Sequence, residues 1–111
     1  MSGHAAEQNI AQDYERRGFV VARQRWRGGA GEIDLIVRNE NEIVFVEVKK
    51  ARSLSRAAER LSQKQMHRIC QSAAQFLERE PLGQLTPSRF DVALVNGQGS
   101  YKIIENAFGQ L

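Results

Sequence analysis

One cysteine, Cys70, is all that the 111 residues contain, so no internal disulfide can staple the chain. Cysteines and histidines at zinc spacing are missing too, which excludes a structural zinc module. No window approaches the length needed to span a bilayer, and the polar stretch from Met1 to Asp13 lacks the apolar run of a signal peptide. The expectation is a soluble protein of a reducing cytoplasm with no membrane partner. Internal repeats and low-complexity segments are absent. No large excess of charge exists either: sixteen Lys and Arg against thirteen Asp and Glu leave +3, too mild by itself to prove a polyanionic partner.

What is present suits one compact α/β domain over residues 1–111, with 41% hydrophobic residues to build a core. From Glu7 to Arg17, Ile10, Ala11 and Tyr14 fall at helical spacing, and Gly18 supplies a stop. Phe19 to Trp26 reads as a strand, broken by Gly28, Gly29 and Gly31. Glu32 to Arg38 and Glu42 to Lys50 read as an antiparallel hairpin turning at Glu40 and Asn41. Met66, Ile69, Cys70, Ala73 and Leu77 mark one face of a long helix from about Ala57 to Arg79, closed by Pro81 and Gly83. Phe90 to Val95 and Tyr101 to Glu105 read as two further strands. The elements predict a mixed central sheet with helices on both faces.

The hairpin carries the chemistry. If it closes symmetrically about its turn, Ile33, Leu35 and Val37 face Val48, Val46 and Val44 as a wholly apolar surface. The opposite surface then sets Asp34 across from Glu47 and Glu32 across from Lys49, with Ile36, Phe45 and Ile43 nearer the turn. Two carboxylates facing each other repel at neutral pH unless a positive charge compensates. A divalent ion is one answer: Mg²⁺, or Mn²⁺ in its place, suits one or two carboxylates plus a backbone carbonyl and waters, and it acidifies water and polarises phosphate. Lys49, two residues from Glu47, shares its face and can hold the attacking water or neutralise charge on the phosphate. The other answer is structural, with Glu32 paired to Lys49 while Asp34 and Glu47 cap backbone groups. Spacing alone leaves both open.

Gly-Glu-Ile-Asp-Leu-Ile at 31–36, followed by Val-Phe-Val-Glu-Val-Lys at 44–49, resembles the YraN-type family of bacterial endonuclease-like proteins in the PD-(D/E)xK superfamily. Further matches are Glu7, Lys64-Gln65, Arg89-Phe90-Asp91-Val92 and Asn106-Ala107-Phe108, nearly the whole chain. The resemblance implies the restriction-endonuclease-like fold, similar to that of Holliday-junction resolvases. It also implies metal-dependent cleavage of DNA, with Asp34 and Glu47 as metal ligands, Lys49 as the catalytic lysine and Glu7 as an additional acid reaching the site. Members usually carry an arginine two residues after the motif lysine, where this chain has Ala51 followed by Arg52; the glycine-bearing loop beyond is replaced by Leu54 to Ala58.

Other residues admit two readings. Arg23, Arg25 and Arg27 around Trp26 suit phosphate contact and base stacking, or a solvated strand edge with a core tryptophan. Arg52, Arg60, Lys64, His67 and Arg68 suit a phosphate track, or a solvated helical face. Gln63 or Gln65 suits orienting a water or a phosphate, or is an ordinary glutamine of an exposed helix. Cys70 reads as a small buried hydrophobe, and Asp91 as a structural hydrogen-bonding group. Glu7 reads equally as a site acid or as a charge in the first helical turn favouring the helix dipole. A rival to the enzyme is a non-catalytic nucleic-acid-binding module, and a chain this small suggests a homodimer on its substrate.

Overall fold

The computed structural model describes residues 3–108, and in it the apolar periodicities of the sequence become two layers on either side of one sheet. Helix α1 (Gly3–Arg16) buries Ala6, Ile10, Ala11 and Tyr14, one turn apart along a single stripe. It ends where Gly18 takes a left-handed φ of 92°. Three strands follow, β1 (Val20–Arg27), β2 (Glu32–Arg38) and β3 (Ile43–Lys50). After helices α2 (Leu54–Glu59) and α3 (Gln63–Leu77) and a 3-10 turn at Gly83–Leu85 come β4 (Ser88–Val95) and β5 (Tyr101–Ile104).

The sheet order is β1-β2-β3-β4-β5. β3 and β4 run parallel because α2 and α3 carry the chain back between them; the other pairs are antiparallel. α1 covers one face over Leu35, Val37, Val44, Val46, Ala93 and Val95, and α3 covers the other over Ile33, Ile36, Ile43, Phe45, Val92 and Leu94. This is the mixed α/β sheet between helices that the sequence predicts, and it is consistent with a nuclease-like fold. Among the described residues, no helix is long and apolar enough to cross a membrane.

Two expectations need correction. The single helix from Ala57 to Arg79 is two helices, because Ser62 breaks it: its hydroxyl accepts the Gln65 N–H at 3.1 Å and starts α3, as Ser53 starts α2 by accepting from Arg56. Ile33 lies on the α3 face, not beside Leu35 and Val37 on the α1 face. The hairpin register is as read, Leu35 opposite Val46, Ile36 opposite Phe45 and Val37 opposite Val44, but the ladder stops at Leu35. On the other side, β2 pairs with β1 through Gln24↔Leu35 and Trp26↔Ile33, leaving Arg25 and Asp34 between them. Arg25 has a left-handed φ of 50°. The side-chain alternation of β2 therefore breaks at Asp34, with Ile33 and Leu35 on opposite faces, while the β1–β2 register shifts separately between Val21 and Arg23.

Candidate active site

Asp34 sits where β2 parts from β3. Its Oδ2 accepts the Val48 N–H at 2.8 Å, a backbone donor that the ended β2–β3 ladder no longer serves. Glu47 precedes Val48 on β3 and points to the α3 side with Phe45, where it is only 7% exposed. Its two oxygens have unequal surroundings. Oε2 accepts from the Gln65 side-chain amide at 2.9 Å and lies 3.7 Å from the Lys49 ammonium. Oε1 is buried and has no hydrogen-bond partner. Burial and then the neighbouring Asp34 carboxylate push the Glu47 pKa from 4.5 up to about 8, against the pull of Lys49.

That orphaned oxygen tests the fit of a divalent ion. A buried acceptor without a donor costs about 1–3 kcal/mol, and a carboxyl forced to keep its proton beside a second carboxylate is what a hard cation relieves. Among the described residues, no three His, Cys, Asp or Glu side chains gather as a ready-made cage. The site instead offers two carboxylates, which suits Mg²⁺ or Mn²⁺ completed by waters and a backbone carbonyl better than a dehydrated, all-protein site. The structural alternative is realised in part, since Asp34 does cap a backbone N–H and Gln65 does bond Glu47. It leaves Oε1 unexplained.

Glu32 does not face Lys49, as the symmetric register required. It is half-exposed and its ion-pair partner is Arg27 at 3.8 Å, because β2 turns away before reaching Lys49; Lys49 pairs with Glu47. Glu7 is not in the first turn of α1, which begins at Gly3, so the helix-dipole reading falls. Its carboxylate takes the Arg25 guanidinium at 3.2 Å and lines a cleft of about 220 Å³ with Arg25, Glu32, Asp34, Val48 and Lys50. A second cleft, about 100 Å³, is lined by Gly31, Glu32, Glu47, Gln65, Arg68 and Ile69. The acid pair thus stands between a cleft on the α1 side and one on the α3 side. A further cleft, about 570 Å³, lies at the hairpin tip around Gly18, Val20 and residues 38–41 and holds none of the candidate site residues.

The glycine loop that precedes Asp34 is clamped to α3. Ser72 donates to the Gly31 carbonyl at 2.8 Å and the Gly29 N–H donates to the Gln75 side chain at 2.6 Å. A Cβ on Gly28 would come within 2.8 Å of Ser72 Oγ, so this close approach needs glycine. The loop thereby ties β2 to the same helix that supplies Gln65.

Of the cations named from sequence, Arg68 reaches the Glu47 cleft and Arg25 the Asp34 cleft. Arg23 and Arg27 line a separate groove with Trp26, Phe76 and Arg79. Trp26 packs edge-on against Phe76 at 5.4 Å within the α3-side core, which favours its structural reading. Arg52, Arg60, Lys64 and Arg68 form no ion pair with any described residue, whereas Arg17, Arg25, Arg38 and Arg89 all do. Cys70 is half-buried against the core and burial pushes its thiol pKa up, so it packs rather than reacts.

Known proteins are similar to this chain over the span that carries the site. A family model described as "Uncharacterised protein family UPF0102" matches residues 6–95, a span that holds Glu7, Arg25, Asp34, Glu47, Lys49 and Gln65. The chain belongs to this family. A UPF0102 protein of Ruegeria pomeroyi is 59% identical over 109 residues, covering 98% of this chain and 89% of the relative. One from Cereibacter sphaeroides is 58% identical over 107 residues, 96% of this chain and 92% of its own. One from Roseobacter denitrificans is 48% identical over 109 residues, 98% and 84% respectively. UPF0102 is the YraN-type family whose motifs the hairpin carries.

Proposed function

We propose that this UPF0102 protein hydrolyses phosphodiester bonds of DNA with the help of a divalent cation held by Asp34 and Glu47. The observation that carries the reading is Glu47 Oε1, a buried and unpartnered carboxylate oxygen beside a second carboxylate. Magnesium or manganese there supplies Lewis acidity toward a phosphate and makes water a better nucleophile near neutral pH. The protein's own groups do the rest. Gln65 and Lys49 both engage Glu47 Oε2, fixing the carboxylate so that Oε1 remains the free oxygen. The Val48 N–H holds Asp34 in the same way. Lys49, largely buried beside Glu47, is a fixed ammonium that can orient the attacking water or offset charge growing on the phosphate.

The exposed cations that no acid neutralises, Arg52, Lys64 and Arg68 among them, supply sequence-independent attraction for a phosphate backbone. They also support the rival reading, a binding module without turnover, because they work with or without chemistry. Linear, nicked, flapped and four-way DNA incubated with Mg²⁺ or Mn²⁺ separates the two. Cleavage is expected with at least one substrate and ion, and an Asp34→Ala, Glu47→Ala double variant should lose it. Undiminished cleavage by the double variant rejects the mechanism; salt-sensitive binding with no cleavage and no calorimetric Mn²⁺ uptake installs the binding module instead.

A further inference from the structure

We propose that Arg25 is a phosphate anchor of this site, parked on Glu7 until nucleic acid arrives, and that Glu7 acts by positioning Arg25 rather than by holding a metal. The inference rests on the nucleic-acid reading above and assigns Glu7 a different task from the one the family resemblance implies.

Three observations converge on the pair. Arg25 stands in β1 between the Gln24↔Leu35 and Trp26↔Ile33 pairs, directly across from Asp34, where the side-chain alternation of β2 breaks. It sits there with a left-handed φ of 50°, a conformation unfavourable for any residue with a long side chain and tolerated best by glycine and asparagine. Strain kept at a joint beside a proposed reaction centre marks a side chain whose aim matters more than its comfort. The second observation is the quality of the ion pair. Arg25 Nε and Nη2 both reach one oxygen, Glu7 Oε2, at 3.3 and 3.2 Å, and the arginine side chain is 53% exposed. Arg38 by contrast spreads two nitrogens over the two oxygens of Glu80, the shorter contact being 2.7 Å. A long, one-oxygen contact facing water is the kind that a phosphate, with several acceptor oxygens, displaces at little cost.

The third is location. The cleft lined by Arg25, Glu7, Asp34 and Lys50 opens on the α1 side of the acid pair, and the cleft lined by Gln65 and Arg68 on the α3 side. A strand laid across Asp34 and Glu47 meets Arg68 on one flank and Arg25 on the other, so the guanidinium completes a two-sided grip. Glu7, with no third acid close enough to make a metal cage among the described residues, is left the work its geometry shows, holding that guanidinium.

Binding of a fluorescein-labelled DNA duplex, followed by anisotropy over a salt series in EDTA, tests this without requiring turnover. Arg25→Asn should weaken binding about fivefold and lower the slope of log K against log salt by about one, as loss of one phosphate contact does. Its melting temperature should hold or rise, since asparagine accepts the left-handed backbone. Glu7→Gln should tighten binding in the wild-type background and have a clearly smaller effect in the Arg25→Asn background, a coupling that plain loss of negative charge does not produce. Arg16→Asn, which removes an exposed cation remote from the acid pair, should leave the slope alone. An unchanged slope in Arg25→Asn, equal gains from Glu7→Gln in both backgrounds, or an equal slope change in Arg16→Asn each overturn the proposal. A wild-type protein with no salt-dependent binding at all overturns the nucleic-acid reading on which it stands.

Discussion

Asp91 and Glu47 are both buried carboxylates on adjacent central strands, one register position apart, yet the protein treats them oppositely. Asp91 pairs with Val46 and so faces α1; both its oxygens are served. Oδ2 accepts the Tyr14 hydroxyl at 2.6 Å and a guanidinium nitrogen of Arg89, and Oδ1 accepts Arg89 Nε and the Asn106 N–H, each at 3.0 Å. Glu47 faces α3 with one oxygen doubly engaged and the other bare. The first carboxylate ties α1, β4 and the segment after β5 together. The second keeps one buried oxygen without a hydrogen-bond donor beside the Asp34 carboxylate. A fully hydrogen-bonded buried carboxylate and a buried carboxyl with one bare oxygen, close together in the same sheet, distinguish architecture from chemistry more sharply than either does alone.

The largest effect should come from breaking the satisfied member. Asp91→Ala leaves the Tyr14 hydroxyl, the Arg89 guanidinium and the Asn106 N–H without their acceptor, and removal of one partner from a buried charged network costs about 3–5 kcal/mol. Urea denaturation should show that loss, while the remaining folded molecules keep any cleavage activity of the wild type. A loss under about 1 kcal/mol would mean that water replaces the carboxylate freely, and the contrast with Glu47 would collapse. Next comes the residue that steadies the unsatisfied member. Gln65→Leu removes the amide on Glu47 Oε2 without removing a ligand, and groups of that kind typically govern metal affinity by about 10–100-fold. Mn²⁺ titration by calorimetry should show the weakening with little change in thermal stability; unchanged affinity would make Gln65 a surface glutamine that happens to touch Glu47.

The sequence displayed one carboxylate of this comparison and concealed the other's partners. Asp34, Glu47 and Lys49 were legible because acids and a lysine interrupt near-continuous apolar strands, and symmetric closure about the turn at Glu40 and Asn41 gave the hairpin register from Leu35 to Arg38. It could not give the side on which Ile33 lies, since the joint at Arg25 and Asp34 depends on β1, and no local pattern in β2 records it. The helix break was written in Ser62 with Gln65 three residues on, a capping signal overridden by the longer apolar stripe from Met66 to Leu77. Gln65 itself does not complete a reciprocal cap, because its amide is spent on Glu47, a contact between elements 18 residues apart. Arg25 with Glu7, and Tyr14 with Asp91, are likewise tertiary meetings, the latter across 77 residues. Residue types announce what a site can do; only packing decides which acid is satisfied.

The smallest step is a slope. In the metal-free protein the Glu47 carboxyl is held near a pKa of about 8 against 4.5 when unfolded, by burial first and Asp34 second. The folded state therefore binds this proton more tightly than the unfolded one. Its contribution is fully present below about 4.5 and is lost as pH rises toward and through about 8, by at most about 1.4 kcal/mol per pH unit. Asp13, buried in part but held low by its hydrogen bonds from Tyr101 and Arg17, acts with the opposite sign and at lower pH, outside this window. Glu47→Gln keeps the shape and the Gln65 neighbour but removes the titration. The difference between wild-type and Glu47→Gln stability, measured by urea unfolding in EDTA from pH 5 to 8, should accordingly drift in favour of the variant as pH increases. Excess Mn²⁺ should reverse the drift, because a cation takes the deprotonated carboxylate and binds better as the proton leaves. Parallel curves in EDTA would show that Glu47 finds a donor in solution, and the unpartnered oxygen would no longer distinguish it from Asp91.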